Sequence, residues 1–157
     1  MIDPAFIAVL RQIVTELQDS TVNWVLTGSL SFALQGLPLE PHDIDIQTDE
    51  QGAYEIERRF ASQVSRRVAF SAGERMRSHL GALLIDGIEV EIMGDIQKRL
   101  EDGSWESPVD LNSHRRFVNF EGMQVPVLSL EYEAQAYQKM GRLERAEMLR
   151  RAGGDRS

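Results

Sequence analysis

Cysteine is absent from this 157-residue chain. Disulfides and thiolate-bound zinc are therefore excluded, and a reducing cytosol is a compatible setting. Long apolar runs are missing as well; none approaches the ~20 residues that a membrane-spanning helix needs. The first residues, Met1-Ile2-Asp3-Pro4, carry an early acid and no basic stretch ahead of an apolar one, which is not the pattern of a secretory leader. Cations are in deficit: 17 Lys and Arg stand against 25 Asp and Glu, a formal net charge of -8. Nucleic-acid phosphates are gripped by clustered cations, so nucleic acid is not an expected partner, whereas a cationic ligand would be attracted. The expectation is a cytoplasmic protein with no membrane contact. What remains is ordinary for a globular fold, with 42% hydrophobic and 27% charged residues and a length suited to one domain over 1–157.

Asp3-Pro4 predicts a helix start, the acid as cap and the proline at the first helical position. Phe6, Ile7, Leu10, Ile13, Val14 and Leu17 recur at helical spacing, which predicts an amphipathic helix over 4–18. Residues 24–27 read as a short buried strand. Gly28-Ser29 then opens a second helix over 30–35, closed by Gly36. Pro38 and Pro41 make 37–42 a loop. Alternation over 43–47 predicts a strand. A helix follows from Gln51 to Phe60, extending toward Val64, and 68–70 reads as a strand. Asp86-Gly87 joins apolar runs at 80–85 and 88–93 as a hairpin, and Glu121-Gly122 joins 117–120 and 124–128 as a second. Asp95 is expected to cap a short helix through Leu100, ahead of a polar loop over 101–113. Ser129 caps a helix to about Met140, Gly141 breaks it, and 142–152 forms a last charged helix before a frayed tail at 153–157. Helices fall between groups of strands and two hairpins are present. The class is therefore α/β of the α+β kind: a mixed β-sheet flanked by helices, with C-terminal helices at 129–152 packed on it.

Three short stretches carry chemistry. Gly28 lets a bulky anion approach the backbone, and the N–H groups of the next helix with the Ser29 hydroxyl suit a phosphate. An ordinary strand-to-helix turn would look the same. Asp43 and Asp45, two apart on a strand, point one way while Ile44 and Ile46 face the core. Two acids so close repel, and a divalent cation relieves the repulsion; magnesium takes one or two carboxylates plus substrate phosphates. A solvated strand edge fits that pattern equally well. Glu89 and Glu91 lie opposite the apolar face of Ile88, Val90 and Ile92. If their strand neighbours that of Asp43 and Asp45, one of them adds a third carboxylate. Glu91, deeper in the apolar run, is the better placed, and an alternating half-exposed strand is the plain alternative. Lys139, His42, Trp105 and the arginines of the last helix are weaker candidates, each more often a solvated or packing residue.

The combination is more specific than its parts. Trp24-Val-Leu-Thr-Gly-Ser-Leu-Ser-Phe-Ala-Leu-Gln-Gly36, followed by His42-Asp-Ile-Asp-Ile46, resembles the signature of the nucleotidyltransferase superfamily with the polymerase-β-like fold. Val90-Glu91-Ile92 falls where that family's third acid would stand. Val125-Pro-Val-Leu-Ser-Leu-Glu131, with Lys139 and Gly141-Arg142 downstream, resembles the C-terminal helix of small members such as the minimal, aminoglycoside and lincosamide nucleotidyltransferases. The resemblance implies that Asp43 and Asp45 hold Mg2+ against the nucleotide phosphates. It implies that Gly28 and Ser29 bind the outer phosphates, with Lys139 reaching the triphosphate, and that Glu91 joins a second metal or serves as general base. The implied co-substrate is a nucleoside triphosphate, with ATP expected, and the acceptor a small, cationic hydroxyl compound. A homodimer would supply the wall that so short a chain lacks. Three departures bear on the substrate class. Glu40-Pro41-His42 stands where relatives often carry Arg-x-Thr, the third acid is Glu, and Arg142 is followed by Leu143-Glu144. Alternatives are a toxin-like member that modifies RNA or protein, and a non-catalytic nucleotide-binding module of the same fold.

Overall fold

The computed structural model describes residues 2–139 and 141–154. Helix α1 (Pro4–Leu17) begins where the Asp3 carboxylate accepts the Ala5 N–H at 2.9 Å. Its Val9, Leu10, Ile13, Val14 and Leu17 are all buried. Each such side chain contributes about 1.5–3 kcal/mol, so packing rather than the cap holds the helix in place.

The chain continues through β1 (Trp24–Thr27), α2 (Gly28–Leu34), β2 (Ile44–Thr48), α3 (Glu50–Arg59) and a 3-10 turn at Ala61–Gln63. Strands β3 (Val64–Ala72), β4 (Met76–Ile85) and β5 (Ile88–Lys98) follow, then α4 (Leu111–His114), β6 (Arg115–Phe120), β7 (Met123–Leu128), α5 (Leu130–Lys139) and α6 (Leu143–Gly154). Among the described residues the strands form one seven-stranded sheet in the order β3-β4-β5-β2-β1-β7-β6. The β2–β5 and β1–β7 pairs are parallel and the others antiparallel, so the sheet is mixed as expected. Both hairpin turns have two successive positive φ values, 50° and 81° at Asp86-Gly87 and 46° and 80° at Glu121-Gly122. That is the turn whose twist matches the strands it joins.

One sheet face packs on α1 and α3 through Leu26, Ile44, Ile46, Val90, Ile92 and Val127, all fully buried. The opposite face carries a smaller cluster of Val25, Leu111 and Leu128, with Val109 and Tyr132 against it. Helices α5 and α6 join α2 through Phe32, Leu37, Leu130, Ala134 and Leu149.

The sequence reading errs most at Asp95. Instead of capping a helix through Leu100, Asp95 lies within β5, which runs on to Lys98. It adopts φ 52° at an irregularity of the β4–β5 pairing, where His79 pairs with Gly94 but Arg77 with Gln97. Two residues of β5, Asp95 and Ile96, thus face the single residue Ser78: a β-bulge. The carboxylate of Asp95 does serve a helix, but a distant one. It accepts the Glu50 N–H at the start of α3 at 3.1 Å. Asp is one of the few side chains that tolerate this backbone conformation, and its short polar group is also what makes it a good cap. Elsewhere the differences are of extent. The second helix starts at Gly28, the strand read at 68–70 spans Val64–Ala72, and the polar loop contains α4. The expected helix end at Met140 lies outside the described residues; of the tail read as frayed at 153–157, residues 153–154 instead continue α6, and 155–157 lie outside the described residues.

Candidate active site

One row of paired residues crosses five strands. Thr27 of β1 pairs with Asp45 of β2, Asp45 with Glu91 of β5, Glu91 with Ala82 of β4, and Ala82 with Arg66 of β3. Directly paired residues point to the same side of a sheet. Thr27, Asp45, Glu91 and Arg66 therefore share the face opposite α1 and α3. Asp43 precedes β2 by one residue and its carboxyl hydrogen-bonds that of Asp45.

The electrostatics follow from this crowding. The Asp45 carboxyl is pushed up to about 7, first by burial, then by the charges of Asp43 and Glu91 and the hydrogen bond to Asp43. Glu91 is raised too, by burial first and then by Asp43 and Glu89, while Arg66 opposes the rise. Glu91 is half-buried and Glu89 exposed, which is the ranking that the apolar pattern of β5 predicts.

Gly28 turns the chain from β1 into α2 with φ +77°, and a Cβ there would lie 2.3 Å from Asp45 Oδ2. Only glycine lets the turn come this close to the carboxylate. From behind, Glu133 of α5 holds the same turn. It is 5% exposed, its Oε1 accepts the Thr27 hydroxyl at 2.5 Å, and the Gly28 N–H also donates to its carboxyl. Burial pushes the Glu133 carboxyl up to about 7, against the opposing pull of those bonds and of the Lys98 charge. Its Oε2 is buried without a partner among the described residues. The Ser29 hydroxyl oxygen accepts the His42 N–H at 3.2 Å and so fastens the loop that leads to Asp43.

The sequence-derived residues Gly28, Asp43, Asp45 and Glu91 thus come together, with Ser29 beside them. Lys139 is engaged in a 2.8 Å ion pair with Glu106. Trp105 is half-buried, with the Arg77 guanidinium 4.4 Å from its ring centroid. Sequence reasoning missed Thr27, Arg66, Lys98 and Glu133. Glu133 had a signal: Leu130, Ala134 and Tyr137 make an apolar stripe at helical spacing and Glu133 falls on it. A carboxyl on the buried stripe of a helix requires partners.

Among the described residues no group of three or more His, Asp or Glu side chains is placed to hold a metal ion, so Glu91 does not complete a three-carboxylate metal site with Asp43 and Asp45. Two crowded acids with one perturbed carboxyl can share a proton or hold a divalent cation that takes its remaining ligands from a substrate.

Over residues 9–151 the chain matches the family described as aminoglycoside-2''-adenylyltransferase. A protein of known crystal structure from Thermotoga maritima, provisionally classed as a nucleotidyltransferase, is 66% identical over 96% of this chain and 94% of its own, with a TM-score of 0.88. The lincomycin-bound lincosamide antibiotic adenylyltransferase LnuA shares the fold at 16% identity and a TM-score of 0.59, over 89% of this chain and 95% of its own. The complex of ANT(2'')-Ia with adenylyl-2''-tobramycin does so at 14% and 0.57, over 97% and 98%. Among curated proteins none matches.

Proposed function

This chain belongs to the nucleotidyltransferases, in the family described as aminoglycoside-2''-adenylyltransferase, and on that premise we propose a magnesium-dependent transfer of a nucleoside monophosphate from ATP to a hydroxyl of a small cationic acceptor. The observation that carries the reading is the row Thr27–Asp45–Glu91 with Asp43 at its rim, where burial first, and then the neighbouring carboxylates Asp43 and Glu91, raise Asp45 to about 7. Such repulsion is tolerated where a cation relieves it in the working state. The donor set fits magnesium, which needs only one or two carboxylates beside substrate phosphates. Asp43 and Asp45 would hold it. When bound it withdraws charge from the attacking and leaving oxygens of an in-line displacement.

The chain's own residues supply the rest. Gly28 brings the turn against the phosphates, and Ser29 donates its hydroxyl there while its oxygen still accepts from His42. Glu91 takes the proton of the acceptor hydroxyl. The acceptor oxygen bonds to the α-phosphorus, and the bond to the bridging oxygen breaks with its electron pair leaving on pyrophosphate. Glu89 and Glu91 add negative charge beside Asp43 and Asp45, and the net charge of -8 adds an attractive field for cations. Relatives of this fold that bind lincomycin or an adenylylated tobramycin support an amine-bearing acceptor.

The test is incubation with labelled ATP and a panel of cationic, neutral and anionic hydroxyl compounds, with and without magnesium. Magnesium-dependent label on an amine-bearing small molecule is expected. Label confined to RNA or protein would overturn the acceptor class, and the same yield in a chelator would overturn the role of the metal.

A further inference from the structure

A second lysine, Lys98, stands on the carboxylate face, and the bulge at Asp95 is what brings it there. In β5, Val90, Ile92 and Gly94 face the helices; a Cβ on Gly94 would meet the Asp49 carbonyl at 2.7 Å and the Ala53 Cβ at 3.0 Å. Simple alternation would send residue 98 to that same side. The extra residue of the bulge offsets the alternation by one, because a one-residue slip exchanges the two faces of a strand. Lys98 accordingly lies with its ammonium 5.2 Å from the ring centroid of Tyr132, the neighbour of Glu133 in α5.

Its surroundings differ from those of Lys139. Lys139 has a side chain 56% exposed and is ion-paired with Glu106. Lys98 is half-buried, and among the described residues no carboxylate lies within ion-pair distance of it. Burial lowers its hold on its proton and the charge of Lys139 adds to that, while Glu106 and Glu133 oppose it only through their fields. An ammonium that has shed part of its water without gaining an ion pair has most to gain from an arriving anion. Glu133, whose charge it feels, in turn holds Thr27 and Gly28.

We propose that Lys98 is a nucleotide-binding residue whose ammonium takes a non-bridging oxygen of the triphosphate. This rests on the reading that the Gly28–Asp45 corner binds a nucleoside triphosphate. The bulge thereby acquires a purpose, because a regular strand would have left the cation on the helix side. The cation–π seat on Tyr132 holds the ammonium in place before the ligand arrives.

The test compares the intact protein with Lys98→Met, Lys98→Arg and Lys139→Met, by calorimetric titration of ATP and AMP in magnesium. A charge-assisted contact predicts at least a tenfold loss of ATP affinity in Lys98→Met. AMP affinity should change less than about twofold, Lys98→Arg should retain most ATP affinity, and Lys139→Met should lose less than Lys98→Met. Lys98→Gln, which keeps a polar head in the same seat, should show the same loss if the methionine variant does not fold. Unchanged ATP affinity in a folded Lys98→Met or Lys98→Gln would overturn the proposal while leaving the nucleotide site standing. An equal loss for AMP and ATP would overturn it as well, since damage to the fold is then the cause. Failure of the unaltered protein to bind ATP would remove the underlying reading and this one together.

Discussion

Asp45→Asn should make the metal-free protein more stable, and only above acid pH. Asn keeps the shape of the protonated carboxyl and cannot carry its charge. The native carboxyl binds its proton with a pKa of about 7 and the unfolded one near 3.8, the ordinary aspartate value. A folded-state value above the unfolded one favours folding fully only below the lower pKa, and that benefit is lost as pH rises through the higher one. The window is therefore about pH 4 to 7. At ~1.36 kcal/mol per pH unit the wild-type protein forfeits up to about 4 kcal/mol by pH 8. The carboxyls of Asp43, Glu91 and Glu133 share the crowding and divide the effect, so about 2–4 kcal/mol is the expected gain in the variant. Urea denaturation in a chelator, at pH 4 and at pH 8, measures it. The difference between variant and wild type should be near zero at pH 4 and large at pH 8. Magnesium should stabilise the wild type at pH 8, do little at pH 4, and do little for the variant at either. An equal ΔΔG at the two pH values would refute the reasoning, because a simple packing change does not follow the titration.

Glu91→Gln should lower single-turnover transfer by two to four orders of magnitude with ATP binding nearly unchanged, and Glu89→Gln should be mild, on the typical worth of a general base. The reverse ranking would mean that the wrong glutamate of β5 was chosen. Gly28→Ala should abolish nucleotide binding and destabilise the fold by more than about 1 kcal/mol, since the new Cβ meets both a positive φ and Asp45 Oδ2; a variant that titrates with ATP like the wild type would remove the close-approach argument. Glu133→Ala should cost about 1–3 kcal/mol in chemical denaturation at pH 5 by leaving the Thr27 hydroxyl without its acceptor, whereas no loss would mean that water replaces the carboxyl freely.

Much of this is legible in the sequence. Asp43-Ile44-Asp45 and Ile88-Glu89-Val90-Glu91-Ile92 alternate cleanly, so within each strand the carboxylates share a side and oppose the buried Ile and Val residues. Whether the two strands are neighbours is not legible, because alternation assigns faces and not partners. The parallel pairing of Asp45 with Glu91 depends on a crossover through α3 and the β3–β4 hairpin. Asp95 misleads for a definite reason: the same side chain suits a helix cap and a left-handed bulge, and local sequence does not separate them. Lys98 is lost with it, since its side of the strand follows only once the bulge is known. Thr27 reads as a strand residue and shows its role only when Glu133, far along the chain, is placed against it.

The place of β7 has a consequence for the free edge of β1. Residues 24–98 contain all of β3-β4-β5-β2-β1, and with them the entire row from Thr27 to Arg66. Within that stretch the outer edge of β1 is bare, since Leu26 finds its partner Val127 only about a hundred residues later, and a bare apolar edge is a template for mispairing. The segment from Met123 onward thus closes an edge that residues 24–98 leave open. It covers that edge with β7 and seats Glu133 against Thr27, which locks the turn that β1 leaves open.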